Sequence, residues 1–225
     1  ERIAPEADAI DREDVYPAGI IRDLARAGYG ALTLPADVGG ADRGHVYAAA
    51  AFEEASLASA AVGISMITNF QAQTMLKLFG ADSLKARWLP AFADGLIASY
   101  ALTEANHGSD IRSLDTKARR EGGQWVVRGE KHFITSGSAA EFLVILAMTE
   151  AGVSVFAVPR DAKGVSAYEG GNSATFGLRN GPHVNVVLDD VRLPADHMVG
   201  EEGKGVRPAA TVLNHSRTLA GAISL

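Results

Sequence analysis

The run Tyr100-Ala-Leu-Thr-Glu-Ala-Asn-His-Gly-Ser-Asp110 concentrates small, hydroxylated and acidic residues in one short stretch. A strand ending in Thr103 sets a hydroxyl and free main-chain groups beside a flat ligand, Gly108 allows close approach, and Ser109 can donate to a phosphate or a carbonyl. Such a loop can hold a cofactor. The same residues also suit a strand-to-loop corner in which Asp110 bonds its own backbone. In Lys131-His-Phe-Ile-Thr-Ser-Gly137, Phe133 and Thr135 stand two positions apart, on one side of a strand, so that the ring can stack on another ring and the hydroxyl can bond its edge. Core filling is the other common use of a strand aromatic.

Other catalytic patterns find less support. His45, His107, His132, His183, His197 and His215 never take the paired helical spacing of a zinc peptidase, and no metal is assigned. The loop GEEGKG lacks both a preceding buried strand and a hydroxyl after its lysine, so it reads as a solvated turn before a helix. No G-x-S-x-G elbow is present. Cysteine is absent, which removes disulfides and thiolate metal sites.

The elements that must carry the two segments change character along the chain. Residues 17–28 read as a short amphipathic helix with Ile20, Ile21 and Leu24 at helical spacing, opened by proline and closed by glycine. Residues 44–58 and 62–79 read as helices, and Asp82 is expected to cap another that Pro90 kinks before Gly95. Beyond Ile97, QWVVRG, KHFITS, EFLVILAM, VSVFAVP and HVNVVLDDV read as strands, with EGGQ and TEAG as hairpin turns, which predicts an antiparallel sheet or barrel. After Gly205 the pattern returns to helix, with Val206, Ala210, Leu213, Arg217 and Ala220 on one side. That helix is still running at Leu225, so a further segment is expected. The predicted organisation is multi-domain α and β: an all-α helical bundle over 1–96, an antiparallel β-barrel or sandwich over 97–204, and the start of a further helical bundle over 205–225.

The 225 residues carry 21 basic and 27 acidic side chains, a net charge of −6. That balance argues against a general nucleic-acid binder. Apolar residues at 47% and charged residues at 21% are ordinary globular usage. No stretch approaches the length of a membrane span, and the charged N-terminus is unlike a secretory signal, so a cytoplasmic location is the expectation.

Taken together and in this order, IAPEADAIDRE, LPADVGGADRG, FGADSLKARWLPAFADG, YALTEANHGSD, TKARREGGQWVVRGEKHFITSGSAAEFLVILAMT, LDDVRLPADHMVGEEGKG and LNHSR closely resemble the acyl-CoA dehydrogenase family of flavoproteins. The resemblance implies an N-terminal helical domain, a middle β-domain and the opening helix of a C-terminal four-helix bundle. It also implies FAD as cofactor, an acyl thioester of CoA or a carrier protein as substrate, and an electron-transfer partner or oxygen as acceptor. A homodimer or homotetramer is implied in the same way. By similarity Tyr100, Leu102 and Thr103 line the isoalloxazine, Gly108 and Ser109 face the flavin phosphates and the thioester side, and Phe133 and Thr135 cover the rest of the ring system. Asn214 and Arg217 match the polar positions beside the acyl and pantetheine channel.

The implied reaction is α,β-dehydrogenation: a carboxylate takes the proton α to the thioester carbonyl while a hydride leaves the β-carbon for the flavin. In one branch of the family the base is a glutamate directly before the arginine that matches Arg217, but here that position is Ser216. In the other branch it lies far along the C-terminal bundle, so no catalytic base is named and it is expected outside these residues. Tyr168-Glu169-Gly170 resembles the tripeptide of the distant base, yet its place among β-domain turns reads as a solvated loop. Ala105-Asn106-His107 departs from the proline and small residues common after the Thr-Glu pair, which brings a larger polar ring near the phosphates. A flavin monooxygenase on the same fold and a non-catalytic family member stand as alternatives.

Overall fold

The computed structural model describes residues 2–170 and 175–225. Five helices come first: α1 (Ala4–Glu13), α2 (Ala18–Arg26), α3 (His45–Ala58), α4 (Ala60–Phe79) and α5 (Asp82–Ala93). α2 buries Ile20, Ile21 and Ala25 on the face that the spacing predicts. α4 is buried along nearly its whole length, and its interior polar residues are therefore obliged to find partners. The Asn69 amide donates to Leu96 O at 3.2 Å and its oxygen accepts from Ala98 N at 2.6 Å, which ties this helix to the first strand. Gln73 donates to Gly30 O at 2.6 Å.

Two details of the helices differ from expectation. α1 is absent from the sequence reading because its ten residues bury only Ile10, too little for an apolar period to show. α5 is capped by Ala81 with no side-chain bond, and Asp82 is its first helical residue, where a carboxylate still meets the positive end of the helix dipole. The helix continues through Pro90 to Ala93.

Eight strands follow: β1 (Ala98–Ala101), β2 (Lys117–Glu121), β3 (Gln124–Ile134), β4 (Phe142–Thr149), β5 (Gly152–Pro159), β6 (Val165–Glu169), β7 (Val184–Pro194) and β8 (Met198–Val199). Their order is β6-β7-β3-β2-β4-β5-β8, with β1 beside β4. Most pairs are antiparallel, as predicted, and the hairpins at Glu121↔Gln124 and Thr149↔Gly152 fall on EGGQ and TEAG. Gly122 and Gly123 take φ of 54° and 81°, the left-handed pair that a two-residue hairpin turn demands. The sheet is nevertheless mixed, because β1 and β2 both run parallel to β4. β2 and β6 escape a reading by apolar alternation, since β2 buries only Ala118 and β6 none of its residues fully.

QWVVRG and KHFITS form one strand rather than two. β3 runs unbroken through Gly129, with register shifts against β7 between Val127 and Gly129 and between Lys131 and Ile134. Glycine here marks an irregularity inside a strand, not its end.

β4 is buried on both faces, which explains its continuous apolar run. Phe142, Val144 and Leu146 pack toward the helices, while Leu143, Ile145 and Ala147 pack into a second core with Trp125 and Phe156. The Phe142 ring lies 4.5 Å from that of Trp88 on α5. A last helix, α6 (Val206–Ile223), packs on α3 and α4. Its buried residues are Pro208, Ala209, Val212, Ser216, Leu219 and Ala222, so the side predicted from Ala210, Leu213 and Arg217 is not the buried face. Among the described residues no helix is long and apolar enough to cross a membrane.

Candidate active site

Where α4, α6 and the strand ends meet, a cleft of about 490 Å³ opens, within the usual range for a ligand site. It is lined by Tyr100, Leu102, Thr103, Gly108 and Ser109 from one segment, and by Phe133, Ile134 and Thr135 from another. Thr68 and Gln71 of α4, Ile111, and Ala210, Leu213 and Arg217 of α6 complete the wall. Both candidate segments and Arg217 thus face one space. The side of α6 that carries Ala210, Leu213 and Arg217 is part of this wall. Asn214 is not part of the lining; its side-chain oxygen accepts from Arg217 Nη1 at 2.5 Å and orients the guanidinium.

The backbone that presents these groups is not the one expected. β1 stops at Ala101, so Leu102 and Thr103 lie beyond the strand. Likewise β3 ends at Ile134, and Phe133 has φ of 55° and Ser136 φ of 63°. Simple alternation therefore does not set Phe133 and Thr135 on a common side: the chain turns at Phe133 and again at Ser136, both left-handed. Such conformations are costly for side-chain-bearing residues and persist only where the surroundings impose them.

Three sets of contacts impose them. Thr135 O accepts from Ser99 Oγ at 2.6 Å, and Ser136 Oγ shares a 2.9 Å bond with Thr68 Oγ1. Phe133 N donates to Asn185 Oδ1 at 3.4 Å and His132 N to Thr103 O at 2.8 Å. Beneath both segments, Lys131 Nζ meets Glu104 Oε1 at 2.6 Å, the two side chains being 0% and 2% exposed. Glu104 also accepts from Asp115 N at 2.5 Å and Thr116 N at 3.1 Å, and Lys131 reaches Leu102 O at 3.4 Å. Thr68 and Ser99 are absent from the sequence reading of the site, and Glu104 and Lys131, though inside its two segments, are given no role there. The only signal for the last two is a lysine within a strand otherwise rich in apolar residues and an acid inside the hydroxyl-rich run.

Burial pushes the Glu104 carboxyl up, but Lys131 and the hydrogen bonds outweigh it and hold the group below the ordinary carboxylate value of 4.5. Burial also lowers the Lys131 ammonium, against the pull of Glu104. A depressed folded-state pKa contributes stability that is full above the unfolded value and fades as pH falls through the folded one. Glu104→Gln should therefore cost about 3 kcal/mol at pH 7, where it strands a buried ammonium. The gap in urea midpoint from wild type should shrink steadily below pH 4.5. A gap that is constant with pH would deny the carboxylate this role.

Asn106 Nδ2 donates to Asp115 Oδ2 at 3.1 Å, and His107 Nε2 lies 3.4 Å from Asp115 Oδ1. The His107 ring, expected near the phosphates, is not among the groups lining the cleft. Glu104, His107 and Asp115 converge closely, but the Glu104 oxygens already serve Lys131 and two backbone amides. Ser216 is buried, accepts from Gln71 Nε2 at 3.0 Å and donates to Leu213 O at 3.1 Å, so that position turns into the helical core. Among the described residues no carboxylate lines the cleft. Tyr168 and Glu169 end β6 instead of standing in a loop, and the Tyr168 hydroxyl donates to Glu130 Oε1 at 2.5 Å.

Three features of the cleft bear on a flat ligand. The Tyr100 hydroxyl is buried without a protein partner, and burial alone raises its pKa. At Gly108 a Cβ would meet nothing within 4 Å, so packing does not require glycine there. Phe133, 49% exposed, offers a ring face for stacking.

Family models match most of the chain: "Acyl-CoA dehydrogenase, N-terminal domain" over residues 1–96 and "Acyl-CoA dehydrogenase, middle domain" over residues 99–191. A probable acyl-CoA dehydrogenase of Mycobacterium leprae is 32% identical over 228 residues, 99% of this chain and 58% of that protein. The human mitochondrial short-chain specific acyl-CoA dehydrogenase is 32% identical over 225 residues, 96% of this chain and 54% of its own length. The chain thus spans a little over half the length of these relatives. Among solved structures, butyryl-CoA dehydrogenase from Megasphaera elsdenii superposes with a TM-score of 0.93 at 27% identity, over 99% of this chain and 61% of that one. A prolyl acyl carrier protein oxidase superposes with a TM-score of 0.85 at 26% identity, over 95% and 58%.

Proposed function

The chain belongs to the acyl-CoA dehydrogenase family, and from that premise we propose that its cleft binds the isoalloxazine end of FAD and the reacting end of an acyl thioester, for oxidation of the Cα–Cβ bond. The observation that carries this reading is the convergence of Tyr100–Ser109, Phe133–Thr135 and Arg217 on one cleft. FAD, when bound, supplies the acceptor for the hydride removed from the β-carbon.

The chain's own residues align and enclose. Phe133 would offer its ring face to the flavin and Thr103 and Thr135 their hydroxyls to its edge, while Tyr100 lines the same wall. Ser109 serves the phosphate and thioester side, next to the exposed backbone of Gly108. Arg217, held by Asn214, stands at the acyl and pantetheine channel. The carboxylate that accepts the α-proton comes from the C-terminal part of the full-length protein, since the cleft lining holds none. The domain divisions at 96 and 204, a homodimer or homotetramer, and an electron-transfer partner or oxygen as final acceptor belong to the same reading.

The test is the visible spectrum of the full-length protein under anaerobic conditions, before and after a panel of acyl-CoA and acyl-carrier-protein thioesters. Bleaching of a bound flavin by one of them is the expected result, and the responding carrier names the substrate class. A flavin band that persists with every thioester would favour an oxygen-using enzyme, and no flavin at all a non-catalytic protein. Arg217→Ala should raise the thioester concentration for half-bleaching about tenfold, the scale of one lost charge-assisted hydrogen bond.

A further inference from the structure

The buried Glu104–Lys131 pair lies beneath both walls of the cleft, and Glu104 there also accepts from the Asp115 and Thr116 backbone amides. A buried ion pair adds little stability over an apolar pair of similar volume, so its presence at this position calls for another role. Each partner belongs to a different wall: Glu104 follows Thr103, and Lys131 precedes Phe133 by two residues. Lys131 Nζ also reaches Leu102 O at 3.4 Å, and His132 N closes on Thr103 O at 2.8 Å. The pair therefore fixes how far Leu102 and Thr103 stand from Phe133. With both groups buried, the local dielectric is low, and each charge acts on its neighbours far more strongly than it would in water.

We propose that Glu104 and Lys131 are positioning residues of the flavin pocket, holding its two walls in register and balancing opposite charges beneath the bound ring. The inference rests on the flavin reading above, and the test separates the two. If the pair is balanced, removing either charge leaves the other acting alone on the ring. Reduction adds negative charge to a flavin, so an unpaired ammonium favours it and an unpaired carboxylate opposes it. In the full-length holoprotein, Glu104→Gln should raise the flavin reduction potential when measured at a pH low enough to keep Lys131 protonated, and Lys131→Met should lower it at a pH high enough to keep Glu104 ionised. The double variant should return the potential toward wild type while releasing FAD at least tenfold more readily, because the neutral pair no longer clamps the walls.

A purely structural disturbance would move both single variants in the same direction. Shifts of the same sign, or no shift with flavin still bound, overturn the inference and leave the flavin reading intact. Should the single variants fail to accumulate as holoprotein, the double variant decides: tenfold weaker FAD binding by fluorescence titration supports the clamp, and wild-type affinity overturns it. Wild-type protein that binds no FAD would overturn the flavin reading itself, and the inference with it.

Discussion

Phe142→Ala should unfold the protein at markedly lower denaturant, with a loss of about 3–5 kcal/mol. The ring is fully buried, sits on the helix-facing side of β4 and packs at 4.5 Å against Trp88 of α5. Its backbone pairs with Ala98 on one side and Pro159 on the other. Removing it opens a void where the helices meet the sheet, a place that cannot collapse without moving β1, and β1 leads straight into the Tyr100–Ser109 wall. Urea titration followed by far-UV circular dichroism and by tryptophan fluorescence reads the loss. Phe142→Leu should cost much less, under about 1.5 kcal/mol, because it keeps most of the volume. A loss below about 1 kcal/mol for the alanine variant would show that this junction does not hold the two layers together.

Gly129→Ala should cost about 3 kcal/mol, at the upper end of what one added methyl does in a packed interior. A Cβ at this position would stand 2.4 Å from Thr116 Oγ1 and 2.6 Å from Thr116 Cα. Thr116 cannot step aside freely. Its N–H donates to Glu104 Oε1 at 3.1 Å and its carbonyl accepts from Met148 N at 2.8 Å. The methyl group must therefore either bend β3 or loosen the Glu104 carboxylate from one of its partners, and flavin retention should fall together with stability. Gly108→Ala is the matched control, since its Cβ enters open space; it should leave the urea midpoint within about 0.5 kcal/mol of wild type. Equal losses at the two glycines would mean that the close approach of β3 to Thr116 is not the cause.

Much of this architecture was legible in the residues. Helices rich in alanine, leucine and methionine announced the first layer, and the doubly buried β4 announced itself as an unbroken apolar run. The two hydroxyl-bearing segments were legible as candidates, because their residue types suit a polar flat ligand, although the same residues suit a strand-to-loop corner and core filling. Segments without an apolar period stayed hidden, as α1 and β2 show: each buries a single residue and is held mainly by its neighbours.

Sequence alone determined which side chains this protein can offer to a cofactor, because residue type sets hydrogen-bonding capacity and ring area wherever the chain places them. Only the tertiary structure decided how they are offered. Local periodicity predicted that Phe133 and Thr135 share a strand face, whereas the backbone is turned there by left-handed residues that contacts with Ser99, Thr68 and Asn185 keep in place. It set Leu213 and Arg217 on one side of α6 but could not say what that side faces: the helix buries the opposite side against α3 and α4 and turns this one to the cleft. The Glu104–Lys131 pair, separated by 27 positions in sequence, exists only because β3 runs beneath the loop that leaves β1. Local patterns carry no information about such a meeting, since burial and pairing are properties of the assembled layers.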